Sequence, residues 1–163
     1  MGYTTDFCGC LAFNVPVAPE HIAYLNAFSD TRRMKRHPAF VSELPDPIRK
    51  AAGLPVGVDG EFFVGGRGPS GQDQDHSILM YNSPPATQPG LWCDWEVNAK
   101  DNTLEWNGSE KFYNYVEWLE YLIANFITPW GYILNGQIKW EGEDRDDTGT
   151  IIVKNNVVEV SRD

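Results

Sequence analysis

The sequence predicts an α+β fold, with two main helices packed on one face of a mostly antiparallel sheet and an irregular Gly/Pro-rich insert at about 35–76. Three observations predict it. Short runs of alternating apolar and polar residues, separated by turn residues, fill 77–106 and 132–160, the pattern of half-buried strands. Two segments carry apolar stripes at helical spacing, near 19–30 and 110–127. Strands and helices come in separate blocks rather than in strict alternation. At 163 residues the chain is the size of one domain, 1–163.

Taken in order, Tyr3–Val15 reads as a strand, with Phe7, Leu11 and Phe13 sharing a face and Gly9 placed where another backbone comes close. Pro19 and Glu20 open a helix. Ile22, Leu25 and Phe28 give its stripe, and it runs to about Asp30 or Met34, placing the basic cluster Arg32, Arg33, Lys35 and Arg36 near its C-terminus, where cations complement the dipole. Within the insert, Asp46-Pro47 caps a short helix over Ile48–Ala52, Val56–Val64 forms a hairpin around Asp59-Gly60, and Gly65–Gly71 is loop.

Strands follow at Ser77–Tyr81, Leu91–Val97 and Thr103–Trp106. Ser109 then caps a helix over about Glu110–Ile127, with Phe112, Tyr115, Val116, Leu119, Leu122, Ile123 and Phe126 as its stripe and Pro129 as its stop. Trp118 and Tyr121 lie off that stripe; exposed, they would mark a protein contact. Tyr132–Trp140, Thr148–Lys154 and Val157–Val160 make a closing meander, with Asn155-Asn156 as its last turn.

Charge narrows the function classes. Thirteen Lys and Arg stand against 23 Asp and Glu, a net −10. Residues 1–30 carry −3, residues 31–50 carry +4 and residues 51–163 carry −11. Such a surface repels duplex nucleic acid and anionic membranes and suits a basic partner. The longest apolar stretch, Tyr115–Ile127, holds Glu117, Glu120 and Asn125 and is too short and polar to span a bilayer. Met1–Phe13 has no basic start and carries Asp6, so no signal peptide is expected. An odd set of cysteines, Cys8, Cys10 and Cys93, is no secreted disulfide framework and points to a reducing cytoplasm. On a strand, Cys8 and Cys10 point the same way.

The run Trp106-Asn-Gly-Ser-Glu-Lys-Phe, then Trp130-Gly-Tyr-x-Leu-Asn-Gly-x-Ile-x-Trp-x-Gly-Glu-Asp, then Asp147-x-Gly-x-Ile-x-Val-x-x-Asn-x-Val resembles a family of small uncharacterised proteins of bacteriophages and prophages. The resemblance covers about 104–160 and implies a phage or prophage context. It carries no activity, cofactor or catalytic residue.

Three groups of residues are candidates for chemistry. Gly66, Arg67 and Gly68 in the glycine-rich loop, with Arg32, Arg33 and the aromatic Trp92, have the makings of a phosphate-binding pocket: arginine forks grip phosphate, glycine lets backbone N–H groups approach, and aromatic rings stack bases. The loop lacks the ending of a P-loop and the spacing of a dinucleotide fingerprint. The acidic turn Glu141, Glu143, Asp144, Asp146 and Asp147 is the candidate partner-binding surface, and it lacks the distal Glu of a calcium loop. No metal site is expected; the outside candidates are Asp73, Asp75 and His76, with no second His or Cys cluster to complete a ligand set. No nucleophile elbow is present and no catalytic residue is assigned.

The leading expectation is a non-enzymatic, acidic, phage-type binding protein that modulates or inhibits a host macromolecule, such as a defence component, through that macromolecule's basic surface. The alternatives are a sponge-like binder of small nucleotides and a small metal-dependent hydrolase. No cofactor is expected, and the partner is a basic host protein or a small phosphate-bearing ligand.

Overall fold

The structure, a computed structural model, describes residues 2–163. It is α+β, and the chain forms two compact units: unit 1 runs up to Val17 and resumes from Asp94 to Asp163, and unit 2 is Ala18–Cys93.

Unit 1 holds a six-stranded antiparallel sheet built from β1 (Thr5–Phe13), β4 (Trp95–Asn98), β5 (Thr103–Trp106), β6 (Leu134–Gly142), β7 (Thr148–Lys154) and β8 (Val157–Arg162), in the order β4-β5-β1-β6-β7-β8. The register sets Phe7 against Trp140 and Leu11 against Leu104 and Gly136. The expected alternation follows. Leu11, Phe13, Leu104, Ile138, Trp140, Ile151 and Val153 are buried, while Asp6, Cys8, Cys10, Gln137, Lys139 and Glu141 are exposed on the other face. Gly9 takes φ 115°, and a Cβ there would stand 2.5 Å from the Gln137 carbonyl, so the close backbone approach expected at this glycine is real.

Helix α4 (Tyr115–Leu122) continues as a π-helical turn over Ile123–Ile127. Its first residue is tied to the sheet: the Tyr115 carbonyl accepts from Trp95 Nε1 at 2.9 Å, and the Tyr115 ring lies 4.9 Å from that of Phe7. The helix starts five residues later than the sequence predicts. Lys111 and Asn114 take positive φ of 61° and 57°, which no helix holds, and Ser109 caps nothing. The residue that misleads is Phe112. It fits the stripe, yet it is buried from a loop, with its ring 5.1 Å from Trp95 and 5.8 Å from Phe7. Trp118 and Tyr121 are both buried, with rings 5.4 Å apart, so they form no exposed aromatic pair.

Unit 2 holds α1 (Pro19–Asp30), β2 (Lys35–Arg36), α2 (Pro38–Val41), α3 (Pro47–Ala51) and β3 (Ile78–Met80), with β2 and β3 paired. The helix α1 begins at Pro19 as expected and stops at Asp30, where Thr31 turns extended and its hydroxyl donates to the Ala27 carbonyl. The basic cluster therefore lies beyond the helix, and no basic residue occupies its last turn. The expected hairpin at 56–64 is instead a 3-10 turn, Val58–Gly60, with Asp59 left-handed at φ 56°. Its carboxylate accepts from the Ala86 N–H at 3.0 Å. Among the described residues no helix is long and apolar enough to cross a membrane.

Candidate functional site

Unit 2 contains a cavity of about 340 Å³ lined by Leu44, Pro45, Phe63, Gly65, Gly66, Arg67 and Asp75. Its framework starts at Asp46, which is 1% exposed. Asp46 stands at the N-cap of α3 but makes no side-chain cap. Its Oδ2 accepts from Arg49 Nε at 2.7 Å and from the Val64 N–H at 3.3 Å, pinning the strand of chain that enters the glycine-rich loop. The loop then folds on itself. Gly71 and Gln72 donate to the carbonyls of Gly68 and Pro69, and Asp73 N–H donates to that of Arg67 at 2.9 Å. A Cβ on Gly66 would lie 2.7 Å from the Gly71 carbonyl oxygen, so this crossing admits only glycine.

Two of the lining residues, Phe63 and Asp75, are held by a buried arginine. Arg36, 2% exposed, places its guanidinium 4.6 Å from the Phe63 ring centre. It donates to Asp75 at 3.1 Å and to the Ser77 hydroxyl at 2.8 Å, and Ser77 in turn donates to Asp75 through its N–H and its hydroxyl. Burial works against the charge on both partners. At Asp75 the hydrogen bonds from Ser77 and Arg36 outweigh it and hold the carboxyl below its ordinary value. Burial pulls the Arg36 guanidinium down, with Asp75 opposing.

Arg67, which also lines the cavity, differs. The Arg67 guanidinium is exposed and forms no hydrogen bond or ion pair with another described residue. The backbone N–H groups of Gly65, Gly66, Arg67 and Gly68 likewise donate to no described residue. Apolar walls, one unengaged cation and the backbone of Gly65, Gly66 and Arg67, with N–H groups unspent on the described residues, thus line one cavity.

Of the residues singled out in the sequence, Gly66, Arg67 and Gly68 are at or beside this cavity, whereas Arg32, Arg33 and Trp92 are not among its lining. Arg32 donates to the Tyr81 carbonyl and to Asn82, with its guanidinium 4.5 Å from the Tyr81 ring and 5.9 Å from that of Trp92. Arg33 is 2% exposed rather than in solvent. It donates to the Glu61 carbonyl at 2.7 Å and stacks 4.2 Å over Phe28. Glu61 is also buried, with its carboxylate accepting from Thr87 and from the Val58 N–H. Arg33 thus serves the interior of unit 2, while Arg32 is half-buried against Tyr81.

Asp73, Asp75 and His76 are not gathered. Asp75 is held by Arg36 and Ser77, the His76 ring packs 5.0 Å from that of Phe40, and no group of three or more metal-ligating side chains occurs among the described residues.

In unit 1 the acidic turn divides into anchors and exposed charges. Asp147 accepts from the Tyr3 hydroxyl at 2.7 Å and from Trp140 Nε1 at 3.0 Å, bonds that hold its carboxyl below the ordinary value. Glu143 accepts from the Thr4 N–H at 2.7 Å. The carboxylates of Glu141, Asp144 and Asp146 are exposed and make no hydrogen bond or ion pair with a described residue. The charge is segregated: unit 1 has six basic residues against fifteen acidic, a net −9, and unit 2 has seven against eight, a net −1.

Sequence reasoning missed the Arg36–Asp75 pair and the apolar walls Leu44, Pro45 and Phe63, which come together only through the fold of the insert. It also missed Asp94. This residue alternates with Cys93 and Trp95 and reads as exposed, yet it is 5% exposed and burial pushes its carboxyl up to about 6, with Asn107 only partly compensating. Compared with family models, with curated proteins and with solved structures, the chain finds no match.

Proposed function

We propose that the protein binds a small phosphate-bearing ligand, of nucleotide size, in the cavity of unit 2. The observation that carries this reading is that Arg67, whose guanidinium is unengaged, and Gly65 and Gly66, whose N–H groups have no partner among the described residues, line one largely apolar cavity. Planar guanidinium and backbone N–H donors are the groups that recognise phosphate oxygens. The apolar walls suit the uncharged body of such a ligand. Asp75 adds an acceptor whose charge Arg36 balances. Calorimetric titration with inorganic phosphate and with a nucleoside monophosphate tests it. Arg67→Ala is expected to weaken binding by roughly tenfold or more, since a charged hydrogen bond is worth about 1.5–3 kcal/mol. Binding unchanged by Arg67→Ala contradicts the reading.

A second reading is favoured by the segregation of charge, −9 against −1. In it, unit 1 docks on a basic surface of a host macromolecule and modulates it, as in an acidic phage-type binding protein; the resemblance over 104–160 supports that context. Electrostatic docking of this kind speeds association and weakens steeply with salt. Capture of a host protein equally at low and high salt opposes it.

A further inference from the structure

We propose that strand β8 is a docking edge for a basic, extended segment of a partner protein, which adds to the sheet as a seventh strand. The choice of a basic partner rests on the docking reading above; the edge itself does not.

The sheet order ends at β8, so one side of this strand has no neighbouring strand. It is joined to β7 by the two-residue turn Asn155-Asn156, both left-handed at φ 49° and 67°, with Lys154 opposite Val157. In such a hairpin the closing pair is hydrogen-bonded, and bonded and non-bonded pairs then alternate. The N–H and C=O groups of Val157, Glu159 and Ser161 therefore face β7, and the Asp163 N–H bond to the Thr148 carbonyl continues that alternation. Those of Val158, Val160 and Arg162 face outward, and none of these residues has a further partner among the described ones beyond the Arg162 side chain.

Protected edges carry proline, lysine, a bulge or very short length. The strand β8 has six residues, an unbroken register with β7, and neither proline nor lysine. Val157 and Val160 are 59% and 44% exposed. Its one cation, Arg162, is drawn to Asp147 at 3.7 Å and lies 5.4 Å from the Trp140 ring.

Beside this edge is a groove of about 210 Å³, lined by Tyr115, Glu117, Trp140, Val160 and Arg162 among others. Aromatic walls with a carboxylate among the lining accept an aliphatic stem that ends in a cation. Across the strand, on the open face, Glu159 is exposed, and neither Glu117 nor Glu159 forms a hydrogen bond or ion pair with a described residue. An incoming strand with lysine or arginine thus meets a carboxylate on either face. A second copy of this chain would bring two units of −9 together, so charge selects a basic partner. Main-chain bonds supply affinity and the side-chain sites supply selectivity.

The test uses the whole protein and capped peptides of about seven residues, the length of an ordinary strand. One alternates lysine and valine, one replaces lysine by glutamate, and one is the lysine peptide N-methylated at alternate residues. Binding is followed by amide chemical shifts. The lysine peptide is expected to bind and to shift the amides of Val158, Val160 and Arg162, while the glutamate peptide does not bind. N-methylation, which leaves charge intact, and Val160→Pro, which removes an outward N–H that β7 does not use, should each weaken binding by at least about tenfold. If Val160→Pro perturbs the fold, the N-methylated peptide decides. Should the lysine peptide bind without shifts in β8 and regardless of N-methylation, the edge proposal fails and the acidic docking reading survives. No binding of the lysine peptide overturns the edge proposal, while salt-sensitive capture of a host protein would still uphold the docking reading.

Discussion

Arg36 reaches Asp75 at 3.1 Å across 39 positions of sequence, and it does so with its guanidinium stacked on Phe63. Arg36 thereby holds two residues that line the unit 2 cavity, Phe63 and Asp75, and ties β2 to the chain that follows Gly71. Arg36→Ala leaves a part-buried carboxylate without its cation, and loss of one member of a buried pair costs about 3–5 kcal/mol. The expected outcome is a much lower urea midpoint. Arg36→Lys should recover only part of it, because an ammonium neither stacks flat nor forks. Equal stability of Arg36→Ala and the parent would show that the pair holds nothing.

The same pair sets an acid limit. The Asp75 carboxyl lies below its ordinary value in the folded state. Its contribution is therefore fully present above the ordinary carboxylate range and is lost as pH falls through the depressed value, below about 4. Asp75→Asn should be less stable than the parent at pH 7 and should lose less on acidification. Chemical denaturation at a series of pH values reads this directly.

Asp94 acts with the opposite sign. Its folded carboxyl titrates near 6, above the unfolded value, so the folded state binds the proton more tightly. Stability then falls as pH rises from about 4 to about 6, and the burial of the charge persists as a cost of roughly 2–3 kcal/mol at neutral pH. Asp94→Asn keeps a polar group beside Asn107 and removes the charge. It should raise stability at pH 7 and flatten the profile between pH 4 and 6. A variant less stable than the parent at pH 7 would contradict the assignment.

Helix α4 offers a test of packing. Leu119 is fully buried, and Leu119→Ala should cost about 2–5 kcal/mol. Phe112→Ala should cost about 3–5 kcal/mol, yet leave helical circular dichroism unchanged, because residue 112 lies in a loop. A loss of helical signal with Phe112→Ala alone would restore the longer helix.

The sheet was legible because its signals are local. Alternation in 134–160, the Asn155-Asn156 turn and the close approach at Gly9 are each written in neighbouring residues. The start of α4 was not, because Phe112 satisfies the helical period while Lys111 and Asn114 adopt left-handed backbone that composition does not announce. In the site, Gly66 and Arg67 were legible as residues of the glycine-rich loop, and both line the cavity. The cavity around them was not, since Asp46 meets Val64, and Arg36 meets Asp75, only through the folded insert. Arg33 shows the limit of reading charge from sequence: a cation expected at a helix end and as a phosphate ligand lies stacked on Phe28, donating to a backbone carbonyl.

The most direct test of the phosphate-binding account is a two-dimensional amide spectrum of the protein titrated with a nucleoside monophosphate. Shifts are expected at Gly65, Gly66, Arg67 and Gly68, with little change at Arg33 or at the acidic turn 141–147, and Arg67→Ala should suppress them without altering the rest of the spectrum. Saturable shifts confined to other residues, or none at millimolar ligand, would contradict it.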